Sequence, residues 1–182
     1  MDVDDQYNSA SAVISDCGLY RYALTRSWCV GPRMTFIMLN PSTADAHIND
    51  PTIRRCIGFA RREGMGGITV VNLFAFRATD PKQLTKAEDP VGPENAKHIK
   101  DALDRGYGKD YPVVCAWGAS DRAAKGSGLI KHWLVECGSR VVFLGQTATG
   151  APGHPLYIKA SAPLIPYWMG LPYEPLRQKI DW

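Results

Sequence analysis

Apolar runs of strand length alternate with segments of helical periodicity between residues 34 and 144, and this alternation constrains the fold more than any other feature. The predicted strands are residues 34–39, 68–73, 112–117 and 140–144. The predicted helices lie between them, each closed by a glycine (Gly64, Gly106 and Gly138). Such an alternation favours parallel strands joined by right-handed helical crossovers. We therefore expect a three-layer α/β/α fold in which helices cover both faces of a four-stranded parallel sheet.

The regions outside this alternation are expected to be peripheral. The chain has 182 residues, enough for one domain with a full core and too few for two of ordinary size, so we expect a single domain over residues 1–182. Residues 1–15 are polar and are predicted to be a flexible N-terminus. Residues 19–28 alternate and are rich in aromatics, which predicts an edge strand or a hairpin arm. The tail from Ser161 is expected to lie on the surface.

Composition excludes several classes of protein. No apolar run approaches the roughly 20 residues that span a bilayer, and the acidic N-terminus lacks the apolar centre of a signal peptide, so we expect a cytoplasmic protein without membrane contact. The five cysteines form no C-x-x-C pair, and no His/Cys cluster has metal-ligand spacing, so we expect no metal, no iron–sulfur cluster and no other cofactor. The net charge of +3 is compatible with a polyanion partner, and we expect a monomer.

Each predicted strand ends in a polar or glycine-bearing turn. Asn40 and Ser42 follow the first strand, Asn72 ends the second with Arg77 shortly after, Trp117 ends the third, and His154 follows the fourth. Ligands of open α/β sheets bind outside the carboxyl ends of the strands. The sequence therefore predicts a cleft that collects these side chains.

Five short motifs carry a resemblance to known proteins: LNPSTAD, DPTIRRC, VVNLFAFRATDP, PVGPEN and GHPLY. Through them, residues from about 20 to 157 resemble a bacterial and phage domain family that long carried only a label of unknown function. The order and placing of the motifs also resemble the uracil-DNA glycosylase superfamily. That resemblance implies a uracil-DNA-glycosylase-like fold and cleavage of an N-glycosidic bond. The last motif of that superfamily usually reads His-Pro-Ser and reads His-Pro-Leu here, so the resemblance implies no phosphate contact from a serine at this position.

The resemblance implies roles for the residues at the strand ends. His154 would donate to the leaving base, Asn40 would hold the attacking water, and Asn72 would read the base edge; Leu39, Ser42 and Trp117 would complete the base pocket. A small residue at Ser42, where strict uracil enzymes carry tyrosine, leaves room for a substituent at the 5-position of a pyrimidine. Alternatives stay open: His154 is a loop histidine, Asn72 caps local backbone, or Trp117 is a core residue.

Charged residues outside these turns are candidates for contacts with the nucleic acid. Arg54 and Arg55 share a predicted helix face with Arg61 and Arg62, and this face is either a phosphate track or simply solvated. Arg77 and Lys159 are further candidate DNA contacts. Two acidic residues, Asp45 and Asp50, are interpreted as turn and cap residues that could also orient water or a sugar.

We therefore predict a monofunctional DNA glycosylase that hydrolyses the N-glycosidic bond of a 5-substituted pyrimidine and leaves an abasic site. Its partner would be single- or double-stranded DNA, with phage DNA as one candidate target. Two alternatives remain: a glycosidase acting on free nucleosides or RNA, and a non-catalytic reader of modified bases.

Overall fold

The computed structural model describes residues 7–46, 48–105 and 110–167, which form a mixed α/β fold with a seven-stranded sheet and three α-helices. The strands are β1 (Ser9–Ile14), β2 (Arg21–Ser27), β3 (Arg33–Met38), β4 (Gly67–Asn72), β5 (Val113–Cys115), β6 (Val141–Phe143) and β7 (Ile165–Pro166). The helices are α1 (Pro51–Arg62), α2 (Asn95–Asp104) and α3 (Asp121–Glu136). The sheet order is β1-β2-β4-β3-β5-β6-β7.

The α/β class predicted from the sequence is confirmed, whereas the predicted four-stranded parallel sheet is only part of a larger sheet. β4, β3, β5 and β6 are mutually parallel, and β1, β2 and β7 extend this group with antiparallel pairings, so the sheet is mixed. An apolar run does not mark β1 or β7 in the sequence, because both strands lie at the edges of the sheet and are largely exposed. Main-chain hydrogen bonds rather than buried side chains define such strands.

The apolar run of β3 is buried on both faces of the sheet, as its sequence predicts. Met34 and Phe36 pack with α1 in one core, while Ile37 packs with residues of α2 and α3 in a second core on the other face. Asp50 caps α1 by accepting a hydrogen bond from the Ile53 amide at 2.8 Å. Packing against these two cores fixes the position of the carboxyl end of β3, where the candidate site lies.

The prediction for the N-terminus needs correction. The prediction of a flexible segment is wrong for Ser9–Ile14, which pairs along its length with β2. β2 is accordingly a hairpin arm, and it lies between β1 and β4 rather than at the edge. In the tail, Ile165–Pro166 pairs with β6, so this part belongs to the sheet. Gly106 and residues 168–182, for which the sequence predicts a helix end and a surface tail, lie outside the described residues.

Candidate functional site

A cleft of about 730 Å³ opens at the carboxyl ends of β3, β5 and β6. Main-chain hydrogen bonds between loops build its walls: the Ala78 amide donates to the Pro41 carbonyl at 2.9 Å, and the Gly118 amide donates to the Pro152 carbonyl at 2.9 Å. Gly118 has a φ of +76°, a conformation that favours glycine, and a Cβ there would lie 3.9 Å from that of His154. The cleft is thus assembled from segments far apart in the chain.

Six of the twelve residues singled out in the sequence line this cleft: Leu39, Asn40, Ser42, Asp50, Trp117 and His154. The other six are absent from its lining: Asp45, Arg54, Arg55, Asn72, Arg77 and Lys159. The strand ends therefore converge as the parallel arrangement predicts, and most of the predicted charged contacts lie elsewhere.

Asn40 is fixed by main-chain carbonyls. Its Nδ2 donates to the Ala78 carbonyl oxygen at 2.8 Å and to the Pro41 carbonyl oxygen at 3.1 Å. Both amide protons are thereby used, and the group that Asn40 can offer to a ligand is Oδ1. An amide oxygen accepts hydrogen bonds only, so Asn40 is suited to orient a water molecule or another donor.

His154 is held in one tautomer by its own loop. It precedes the 3-10 turn Pro155–Tyr157, and its Nδ1 accepts a hydrogen bond from the Leu156 amide at 3.4 Å. A neutral imidazole that accepts at Nδ1 carries its proton on Nε2. Burial lowers the pKa of His154 below its ordinary 6.5, and the carboxylate of Asp50 opposes this shift. At neutral pH His154 is therefore an uncharged donor through Nε2.

This burial predicts a pH dependence of folding stability. Because the folded-state pKa of His154 lies below the ordinary 6.5, the unfolded chain binds a proton in a pH range where the folded chain does not. The stability that His154 contributes should be fully present above pH 6.5 and should be lost as the pH falls below 6.5. Urea unfolding of wild type and His154→Gln at roughly pH 7.5 and roughly pH 5.5 isolates this contribution, and the wild type should lose more. Equal losses would contradict a buried neutral imidazole.

Arg21 was given no role in the sequence analysis, yet it lines the cleft. It is 1% exposed, and its Nη1 donates to the Ala44 carbonyl at 2.6 Å. Burial lowers the pKa of Arg21 to about 10, which still leaves it protonated at neutral pH. The signal in the sequence is an arginine beside the aromatic and apolar residues of β2, but only the tertiary structure shows that it points inward.

Two apolar side chains at the mouth of the cleft were also missed. Leu156 is 39% exposed and Tyr157 is 81% exposed, and both line the cleft beside His154. Exposed large apolar groups at the rim of a cleft indicate a surface that meets a ligand. In the sequence they were read only as part of the GHPLY motif, in which Leu156 replaces the usual serine.

Asn72 and Trp117 are more buried than the base-binding prediction implies. Asn72 is 0% exposed, and its side-chain Nδ2 and Oδ1 have no hydrogen-bond partner among the described residues. It pairs in register with Met38, which lines the cleft, while Asn72 itself is absent from the lining. Trp117 is 4% exposed and packs edge-on against Tyr167 with 6.0 Å between ring centroids. Trp117 is thus largely a core residue with one edge at the cleft.

The arginines of α1 do not form a single free face. Arg55 donates to the carbonyls of Pro155, at 3.4 Å, and Ile158, so it supports the loop that carries His154. Arg62 forms an ion pair with Glu63 at 2.7 Å, whereas Arg54 is exposed. The shared face predicted from helical periodicity is wrong for Arg55, because a distant loop covers it.

Three of the four remaining charged residues, Arg77, Lys159 and Asp45, are placed outside the cleft. Arg77 donates through Nη1 to the Gly18 carbonyl at 3.2 Å, and Lys159 is exposed beyond the His154 loop. Asp45 accepts a hydrogen bond from the Ile48 amide at 2.9 Å, which agrees with its reading as a turn residue. Asp50 both caps α1 and lines the cleft.

Neither a cluster of metal-ligating side chains nor a membrane-spanning helix is present among the described residues. Within them, no three His, Cys, Asp or Glu side chains are grouped so that they could hold a metal ion. None of the helices in the described ranges has the length and apolar character needed to cross a membrane.

Comparison with known proteins gives one match. Residues 21–156 match the model of a family described as "Protein of unknown function (DUF1643)". No curated protein and no solved structure matches the chain. These comparisons provide no link to the uracil-DNA glycosylase superfamily.

Proposed function

Because the chain belongs to the DUF1643 family, whose description gives no activity, we propose a function from the cleft itself: a monofunctional DNA glycosylase that releases a 5-substituted pyrimidine. The observation that carries this proposal is the pairing of two fixed groups in one cleft. Asn40 offers an acceptor through Oδ1, and His154 offers a neutral donor through Nε2.

These two groups match what hydrolysis of an N-glycosidic bond requires. In the transition state the sugar becomes oxocarbenium-like and the departing base gains negative charge. A donor at the base stabilises that charge, and an acceptor at the other side orients the water that attacks the sugar carbon. His154 and Asn40 would take these roles, with water supplying the hydroxyl group to the sugar and the base leaving with the proton.

The lining of the cleft supports hydrolysis by water rather than a covalent route. Among the described residues, no lysine lines the cleft, and a lyase step would require an amine that forms a Schiff base. The order of the motifs around Asn40, Asn72 and His154, which resembles that of the uracil-DNA glycosylase superfamily, supports the same reaction. We extend the proposal to a uracil-DNA-glycosylase-like fold on this ground.

The shape of the cleft mouth supports a substrate presented as a flipped nucleotide. Leu156 and Tyr157 expose apolar surface at the rim, where a side chain could occupy the space left by an extruded base. Ser42 lines the cleft and, being small, leaves volume for a substituent on the base. DNA is therefore the proposed partner.

One observation favours a second function, a non-catalytic reader of modified bases. Asn40 is a neutral amide and cannot remove a proton from water as a carboxylate would. Without catalysis the same donor and acceptor would serve only to recognise a flipped base.

Oligonucleotides that carry different 5-substituted pyrimidines, with the unmodified sequence as control, test the proposal. Incubation with the protein followed by alkali should break the modified strands at abasic sites and leave the unmodified strand intact. Binding to a modified strand without any strand break would support the reader instead. Absence of both binding and strand breaks would refute both functions.

The structure also separates two neighbouring arginines of α1. Arg54→Ala is expected to reduce the slope of log affinity for DNA against log salt concentration by about 0.9, the contribution of one phosphate contact. Arg55→Ala is expected to keep the slope and slow base excision, because Arg55 donates to the Pro155 and Ile158 carbonyls beside His154. Binding measured over a series of salt concentrations gives the slopes.

Arg33, at the opposite end of β3, provides the control for these variants. Arg33→Ala should change neither the slope nor the rate. An unchanged slope for Arg54→Ala would show that Arg54 meets only solvent, and a reduced slope for Arg55→Ala would restore it as a phosphate contact.

A further inference from the structure

Two buried arginines project from β2 towards the loop that follows β3. Arg26 is 0% exposed and donates from each of its three nitrogens, through Nε to Asn49 Oδ1 at 3.0 Å, through Nη1 to the Thr25 carbonyl at 2.8 Å and through Nη2 to the Asp45 carbonyl at 2.6 Å. Its hydrogen-bonding capacity is used within the protein, and Arg26 is absent from the lining of the cleft. Its role is to support the loop.

Arg21 occupies a comparable position and is left with donors to spare. Among the described residues, its side chain makes one hydrogen bond, from Nη1 to the Ala44 carbonyl at 2.6 Å, and its buried Nε has no partner there. Unlike Arg26, it lines the cleft. A guanidinium has five N–H donors, so most of the capacity of Arg21 is unused.

The charges around Arg21 do not neutralise it fully. Asp50 and Asp45 favour its charged form, whereas Arg77 and Arg26 disfavour it, and burial disfavours it most. The Asp50 carboxylate also accepts a hydrogen bond from the Ile53 amide, as the N-terminal cap of α1. A buried cation with unpaired donors is unfavourable in the free protein, and a ligand oxyanion would remove that penalty.

We propose that Arg21 forms an oxyanion-binding subsite in the floor of the cleft and selects ligands whose buried end carries an acidic oxygen group. This inference rests on the proposed function and narrows its substrate class to pyrimidines whose 5-substituent carries an oxyanion. Arg21 then adds selectivity through two or more charge-assisted hydrogen bonds, which a base with an apolar substituent cannot make.

The N-termini of two helices contribute to the same field. Pro51 and Thr52 of α1 line the cleft, as does Ser120, the cap of α3. Peptide dipoles place partial positive charge at a helix N-terminus, which favours anions nearby. Together with Arg21 they make the floor and walls of the cleft more attractive to an oxyanion than to a neutral group.

The oxyanion could belong to a base substituent or to a nucleotide phosphate. The depth of Arg21, which is 1% exposed, favours the substituent, since the phosphates of a polymer remain outside the cleft when a base enters.

Equilibrium binding of two matched pairs of small probes, measured by NMR titration, tests this subsite. One pair is thymine and 5-carboxyuracil; the other is thymidine and thymidine 5′-monophosphate. Wild type is expected to bind 5-carboxyuracil about tenfold or more tighter than thymine, as one charge-assisted contact allows. Arg21→Met should lose this preference, Arg21→Lys should keep part of it, and Arg33→Met, the control at the far end of β3, should keep all of it.

The outcomes are separable. A tenfold preference that survives in Arg21→Met, or no preference within either pair in wild type, would overturn the subsite. A preference seen only in the nucleotide pair, and lost in Arg21→Met, would support the oxyanion site with phosphate as its source. Should Arg21→Met fail to fold, the same measurement is made on Arg21→Ala or Arg21→Gln, whichever folds. A full preference for the anionic probe in that variant would overturn the proposal, and loss of the preference would support it. Because binding requires no turnover, a confirmed preference without any abasic sites would refute the glycosylase and leave the subsite intact.

Discussion

His154→Ala is expected to lower the single-turnover rate of base excision by about 10²–10³-fold, the usual effect of losing one preorganised donor to developing charge. Affinity for the modified oligonucleotide should change much less, because the negative charge on the base forms mainly in the transition state. Asn40→Ala should also slow excision and spare affinity, since its partner would be water. Rates and affinities measured on one oligonucleotide distinguish these effects.

A second histidine gives the matched control for this experiment. His132 is exposed on α3 and absent from the cleft, so His132→Ala should cleave at the wild-type rate. Wild-type rates in both His154→Ala and Asn40→Ala would refute their assigned roles. An affinity defect without any cleavage by wild type would favour the reader.

Ser42→Tyr is expected to abolish excision of 5-substituted pyrimidines. Ser42 is half-buried and lines the cleft beside Asn40, so a tyrosine ring would fill the volume assigned to the substituent. The fold should survive, because the ring can extend into the cleft. Cleavage assays with a bulky and with an unsubstituted base, alongside unfolding curves, measure both effects.

The control for Ser42→Tyr is Ser9→Tyr, which places the same ring on the exposed edge strand β1. That variant should cleave normally. If Ser42→Tyr folds and still excises the bulky base, the substituent lies elsewhere in the cleft.

Sequence reasoning succeeded where local pattern and topology suffice. The apolar run of β3 predicts a strand buried on both faces, and its abrupt end places Asn40 at the carboxyl edge of the sheet. Because the carboxyl ends of parallel strands share one edge, His154 could be expected in the same cleft although 114 positions separate it from Asn40 in the numbering.

Sequence reasoning failed where long-range contacts decide the environment of a charged or polar side chain. Helical periodicity put Arg55 on a solvated face, but its partners lie 100 and 103 residues away. The segment that holds Arg21 was predicted as an edge strand or a hairpin arm because β1, which is largely exposed, carries no buried apolar pattern that marks it as the strand covering this edge. Asn72 was correctly placed at the end of β4, and only packing shows that its side chain is fully buried.

The supports of the cleft have a consequence for how its specificity can change. Arg21, Arg26 and Arg55 reach the flanking loops through main-chain carbonyls, at Ala44, Asp45, Pro155 and Ile158. Asn40 does the same at Ala78. Every residue type presents a carbonyl, so these contacts place few demands on the side chains of the loops they hold. Loop substitutions can therefore accumulate while the cleft keeps its shape, which makes this a scaffold on which ligand preference can diverge without loss of the fold.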